Sequence, residues 1–129
     1  MSKLRVAIFG GGAVGGGVVN ILNNYKNLFD IIYLVVKNKN KKRDFNCPCP
    51  IVDDVNMVLE DDSIDVYIEA IGGVGVAKRI VFEGLDKNKF VIKANKKLVA
   101  ENLIELMGKL KNNKKFGFEA AVGGGIPVI

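Results

Sequence analysis

A run of apolar, partly β-branched residues over positions 4–9 stops at three consecutive glycines, and Gly10, Gly12 and Gly15 then stand in the spacing G-x-G-x-x-G. After them Val14, Val18, Ile21, Leu22 and Tyr25 recur at offsets that share one face of a helix. A short buried strand, a glycine turn and a helix, in that order, leave few folds open. In such a turn the first glycine permits a tight bend, the second lets a pyrophosphate approach the backbone, and the third lets helix and strand pack closely. Unpaired N–H groups and the dipole at the helix start then favour an anion. The alternative is a turn kept glycine-rich for packing alone, and its place between strand and helix favours the binding reading. No Lys-Ser or Lys-Thr pair follows the glycines, so the lysine and magnesium-binding hydroxyl of a nucleotide triphosphatase are missing.

The rest of the chain continues the alternation. Residues 31–36 form a nearly continuous apolar run, as expected of a strand in a parallel sheet covered on both faces. Residues 37–50, polar and punctuated by Asn and Pro, read as a mobile loop. Asp53 or Asp54 can cap a short helix carrying Val55, Val58 and Leu59. A strand over 65–71 ends at Gly72 and Gly73, a helix over 77–85 follows, and 90–94 reads as the next strand. Apolar residues at 99, 103, 106, 107 and 110 predict a helix over 98–111, and 116–122 reads as a further strand. The expectation is an α/β fold: a Rossmann-like, doubly wound, mainly parallel sheet with helices on both faces and right-handed crossovers. The 129 residues suit a single dinucleotide-binding domain over 1–129, with no internal repeat. Pro127 suits the first turn of a helix, yet only Val128 and Ile129 follow it, so the chain is expected to be the truncated front of a longer enzyme.

Composition narrows the function classes. Hydrophobic residues make up 49% and charged residues 26%, which places the chain among globular rather than disordered proteins. No apolar run approaches the roughly 20 residues that span a bilayer, and no signal peptide opens the chain, so a cytoplasmic protein without a membrane partner is expected. Cys47 and Cys49 flank Pro48, too close in sequence for a stabilising disulfide framework. With no histidine and no carboxylates at ligand spacing beside them, the two cysteines do not make a zinc site. The net charge of +5 raises the question of a nucleic acid. Its positive residues cluster at Lys37, Lys39, Lys41, Lys42 and Arg43 and again at Lys109, Lys111, Lys114 and Lys115, without interleaved aromatics for base stacking. Two solvated basic segments and no nucleic-acid partner are the preferred reading.

The end of the second strand bears on cofactor choice. NAD binders commonly place Asp or Glu there for the ribose 2′-hydroxyl, and this chain has Lys37. A cation at that point, supported by Lys39, Lys42 or Arg43, suits the 2′-phosphate of NADP, with NAD as the alternative and a merely solvated loop as the bland one.

Four segments together resemble homoserine dehydrogenase, which interconverts L-homoserine and L-aspartate 4-semialdehyde by hydride transfer with a nicotinamide cofactor. They are I-F-G-G-G-A-V-G at 8–15, D-V-Y-I-E-A-I-G-G at 65–73, K-A-N-K-K-L-V-A at 93–100 and F-E-A-A-V-G-G-G-I-P at 118–127. The first is generic to dinucleotide-binding domains, and the last two are specific. The glycine turn offers cofactor contacts at Gly10, Gly11, Gly12, Ala13, Val14 and Gly15 and the second strand's end offers Lys37; Gly72 and Asn95, in the matching segments, are expected to join them, and the resemblance implies Lys96, also catalytic beside the nicotinamide. It implies a monovalent cation, typically sodium, at Glu119, Val122, Gly124 and Ile126. Where this chain has Lys93 the family usually has threonine, a departure that bears on the cofactor contacts. The family's later domain supplies substrate-binding carboxylates and a second essential lysine, so this chain alone is expected to bind cofactor and turn over little homoserine, and the complete enzyme to be a homo-oligomer. The contrasting reading is a non-catalytic nucleotide-sensing module using the same turn.

Overall fold

The computed structural model describes residues 3–72, 75–95 and 103–112, with side chains in the last stretch as far as Lys109. Its elements are β1 (Leu4–Phe9), α1 (Ala13–Asn23), β2 (Phe29–Val35), β3 (Ile51–Val52), α2 (Val55–Leu59), β4 (Val66–Glu69), α3 (Val76–Asp86), β5 (Phe90–Lys93) and α4 (Leu103–Asn112). The five strands form one sheet in the order β3-β2-β1-β4-β5, with every pair parallel. The chain starts at the centre, steps outward to β3, and returns to the other side of β1 with β4. This reversal opens a crevice at the carboxyl edge between β1 and β4, where open α/β sheets receive their ligands.

Strand alternation sends each side chain to one of two cores. Leu4, Val6 and Ile8 of β1 join Val66, Ile68 and Ile92 under α1 and α4, which contribute Val18, Val19, Leu22, Leu103, Leu106 and Met107. Ala7 and Phe9 join Tyr67 and Val91 on the opposite face, under Val58 and Leu59 of α2 and Ile80 of α3. Phe9 and Tyr67 meet edge to face with ring centroids 5.2 Å apart. Helices on both faces bury all of β4 and all of β1 but Arg5, whereas Ile31, Ile32 and Tyr33, in the run expected to be covered on both faces, are half-buried.

The structure departs from the sequence pattern in three places. β3 lies just past residues 37–50 and pairs Ile51 and Val52 with Leu34 and Val35 of β2. Two residues are too few to show a period. Tyr25 falls beyond the α1 C-cap at Asn24 and is exposed, so its place in the apolar pattern does not reflect the helix face. The basic loop is not wholly solvated either, because Phe45, Cys47 and Cys49 pack half-buried against the α1 side of the core. Both cysteines are free, their Sγ atoms lie 3.3 Å apart, and burial pushes the Cys49 thiol up so that it stays protonated. Asp54 is the α2 cap, accepting a hydrogen bond from the Met57 N–H at 3.3 Å. The strand expected over 116–122 and the start of the helix expected at 98 lie outside the described residues.

Candidate cofactor crevice

The glycine turn joins β1 to α1 with no help from side chains. Gly10 has φ +120°, a conformation that L side chains rarely adopt. Its N–H donates to the Val35 carbonyl at 2.7 Å, which ties the turn to the end of β2. Gly15, in the first turn of α1, packs so tightly that an added Cβ would lie 1.7 Å from the Gly10 carbonyl oxygen. Gly12 is the α1 N-cap, makes no side-chain cap hydrogen bond, and would place a Cβ in open space with nothing within 4 Å. No acidic residue stands in the first turn of α1. The two outer glycines therefore bring helix and strand together, and the middle one leaves room in front of the helix's unpaired N–H groups, where phosphate oxygens gain both hydrogen bonds and the dipole.

Beyond the end of β2 a cavity of about 670 Å³ is lined by Gly11, Gly12, Val36, Lys37, Asn38, Lys41 and Arg43. Arg43 donates to the Lys41 carbonyl at 2.8 Å and to the Asn38 carbonyl at 2.9 Å, closing the loop on itself. Its Nε is buried without a partner among the described residues, and a Cβ on Gly11 would come within 2.8 Å of it. Lys37, Lys41 and Arg43 bring positive charge to this cavity, and none of its lining residues is a carboxylate. A second cavity of about 430 Å³ continues over α1 past Gly16, Gly17 and Asn20, with Lys42, Asp44 and Phe45 opposite.

Across the crevice the turn after β4 depends on a buried charge. Glu69 is 1% exposed at the carboxyl end of an otherwise apolar strand. One carboxylate oxygen accepts from the Ile71 and Gly72 N–H groups, both at 2.7 Å, and Gly72 has φ +80°. The other oxygen lies 3.6 Å from Lys93 Nζ, and Lys93 is the residue aligned with Glu69 in β5. The two turns nearly touch, since an added Cβ on Gly10 would lie 2.8 Å from the Ala70 carbonyl oxygen.

The structure thus gathers Gly10, Gly11, Gly12, Ala13, Val14 and Gly15 on one lip of the crevice, Gly72 on the other, Lys37 at the β2 end and Asn95 two residues past β5. Lys96, Glu119, Val122, Gly124 and Ile126 lie outside the described residues. Sequence reasoning passed over Asn38 and gave Glu69 no role. A carboxylate closing the apolar run of β4 was the available signal for Glu69. Among the described residues no His, Cys, Asp or Glu cluster of three or more could hold a metal, and no helix is long and apolar enough to cross a membrane.

Comparison with known proteins agrees with this geometry. Residues 10–118 match the family described as the NAD-binding domain of homoserine dehydrogenase. A homoserine dehydrogenase of Bacillus subtilis is 36% identical over the whole chain, and one of Pseudomonas aeruginosa is 35% identical over the whole chain. Each alignment covers 32% of the relative, so the chain spans about a third of the length of these relatives. A crystal structure of Staphylococcus aureus homoserine dehydrogenase at pH 8.5 superposes with a TM-score of 0.69 at 32% identity, over 94% of this chain and 31% of that one.

Proposed function

This chain belongs to the NAD-binding domain family of homoserine dehydrogenases, and on that premise we propose that it is the cofactor domain of an enzyme interconverting L-homoserine and L-aspartate 4-semialdehyde. The observation that carries the reading is the open approach to the α1 N-terminus at Gly12, flanked by the close packing of Gly15 on Gly10, at the point where the strand order reverses. A bound nicotinamide cofactor supplies the hydride acceptor and donor. The chain's own part is to hold the pyrophosphate on N–H groups of the glycine turn and to fix the dinucleotide across the carboxyl edge of the sheet. Orienting cofactor and alcohol within reach of one another supplies much of the rate enhancement of such a transfer.

NADP is the proposed cofactor. Lys37 stands where an NAD binder commonly has a carboxylate, and the adjoining cavity carries Lys41 and Arg43 with no acidic lining residue. Lys96 is proposed as the catalytic lysine beside the nicotinamide, with Gly72 and Asn95 as cofactor contacts. Glu119, Val122, Gly124 and Ile126 are proposed to hold a monovalent cation, sodium by family resemblance, through oxygen donors that suit a hard ion. Homoserine turnover, assembly into a homo-oligomer and the cation site are proposed for a protein carrying the remaining two thirds of the relatives' length.

Calorimetric titration of the 129-residue chain with NADPH and NADH tests the reading. Binding of both, tighter for NADPH, is expected. Lys37→Glu should reverse the preference by about tenfold or more, the difference between pairing and opposing a phosphate charge at one contact. Absence of binding would overturn the cofactor assignment, and an unchanged preference in the variant would remove Lys37 from it. In the longer protein, Lys96→Ala should abolish homoserine-dependent NADP reduction without loss of folding.

A further inference from the structure

The reading above assigns the adenosine half and the pyrophosphate of the cofactor to residues on β1, α1 and the loop after β2. A dinucleotide lying across the crevice must send its other half toward β4 and β5. At that end the structure holds a group with no role so far, the buried carboxylate of Glu69.

Its burial needs a reason. Val66, Tyr67 and Ile68 precede it in a strand whose every residue is buried, and a further apolar side chain would complete the pattern. Burying a carboxylate costs several kcal/mol unless hydrogen bonds and a counter-charge offset it. Glu69 has both. The Ile71 and Gly72 N–H groups donate to one oxygen, and Lys93, 38% exposed in its side chain, approaches the other. Charge-assisted bonds at 2.7 Å are short and strongly oriented. They turn two consecutive backbone N–H groups inward and give the 70–72 turn one shape, with Gly72 at φ +80°. Because the Ala70 carbonyl abuts Gly10, that shape also sets how far apart the two lips of the crevice stand. Lys93 ties the same carboxylate to the last residue of β5, two positions before Asn95.

We propose that Glu69, steadied by Lys93, is a positioning residue for the nicotinamide half of the cofactor, holding the 70–72 turn and the end of β5 in the geometry that receives it. The proposal rests on the cofactor reading above and adds to it a division of labour between the two halves. Where the family resemblance leads one to expect threonine, Lys93 is the counter-charge of this clamp.

The test compares binding of NADPH with that of adenosine 2′,5′-bisphosphate, which carries the adenosine end and lacks the nicotinamide, measured by calorimetry on the 129-residue chain. Glu69→Ala should weaken NADPH at least about fivefold, the worth of roughly one net hydrogen bond, and leave the bisphosphate within about twofold, as expected for a distant site. Glu69→Gln keeps an acceptor for the two N–H groups and should restore part of the loss. Lys93→Gln, at a partly exposed position, should show a smaller selective loss, and it decides the matter alone should Glu69→Ala fail to fold. Equal weakening of both ligands, or no weakening of NADPH, overturns the proposal. If the unaltered chain binds neither NADPH nor NADH, the cofactor reading falls and this one with it. If it binds them and the variants show no selective loss, this one falls alone.

Discussion

The two turns that face each other across the ends of β1 and β4 reach the same closeness by opposite means. The first, around Gly10–Gly15, works by leaving side chains out, so that helix and strand backbones touch. The second, after β4, works by putting a charge in, with Glu69 gathering two N–H groups and a lysine. Subtraction makes room for a ligand at a cost in helix propensity, whereas a buried charge fixes shape at a cost in desolvation that its partners must offset. One lip of the crevice is therefore defined by space and the other by charge, and substitutions should separate the two.

The largest effect on stability is expected at Gly15. Gly15→Val puts a branched side chain where a single carbon already lies 1.7 Å from a backbone oxygen. The helix must move, and a loss of about 3 kcal/mol or more in urea unfolding is expected, at the upper end of overpacking costs. A loss below about 1 kcal/mol would mean that the turn yields and that space does not define this lip. Glu69→Ala comes next. It strands two partly buried N–H groups and the Lys93 charge, for an expected loss of roughly 1–3 kcal/mol in the same measurement.

Gly12→Ala should cost the fold only modestly, lowering unfolding free energy by about 0.5–1 kcal/mol, because alanine is a poorer helix N-cap than glycine. Its added carbon meets nothing within 4 Å, yet it occupies the approach to the helix N-terminus. NADPH titration should therefore show a large loss of affinity beside that modest loss of stability. A stability loss of about 2 kcal/mol or more would mean that Gly12 serves packing after all.

The smallest effect is expected at Asp61, whose carboxylate caps a local turn as Glu69 does but toward solvent. It accepts from the Ser63 N–H at 2.9 Å and from the Tyr33 hydroxyl at 2.9 Å. The Ser63 hydroxyl bond is the main cause that holds its carboxyl below the usual range. A lowered folded-state pKa contributes stability above the ordinary carboxylate range and loses it as pH falls through the folded value. Asp61→Asn should thus lower neutral stability slightly, leave stability below the folded value almost unchanged, and so flatten the acid limb of stability against pH, as thermal melts across that range would show.

The two lips also differ in how legible they were. Gly10, Gly12 and Gly15 stand out because few constraints other than close approach ask for glycines at that spacing between a strand and a helix. The apolar runs of β1, β4 and β5 and the faces of α1, α3 and α4 were equally readable, since burial on two sides imposes continuous or 3.6-residue patterns. Glu69 was not, because it stood within the strand expected over 65–71, and a single carboxylate there has no pattern to single it out. Only the pairing of β4 with β5, a contact between residues distant in sequence, brings Lys93 beside it. β3 escaped for its brevity. Arg43 read as one more lysine-like charge, whereas its guanidinium is occupied in closing the loop above Gly11.

The glycines of α1 carry one more consequence, which concerns what keeps that helix formed. Gly15, Gly16 and Gly17 stand in succession within a helix of 11 residues, and each lowers helix propensity by about 1 kcal/mol relative to alanine. Such a segment has little tendency to coil in an unfolded chain, and its nucleation is costly in any case. In the folded molecule it is held by close packing instead, with Gly15 against the Gly10 carbonyl and Gly16 against the Phe45 ring. The helix beside the proposed phosphate site thus owes its stability to tertiary packing more than to its own propensity, and a ligand binding the native form alone would add to that stability by mass action.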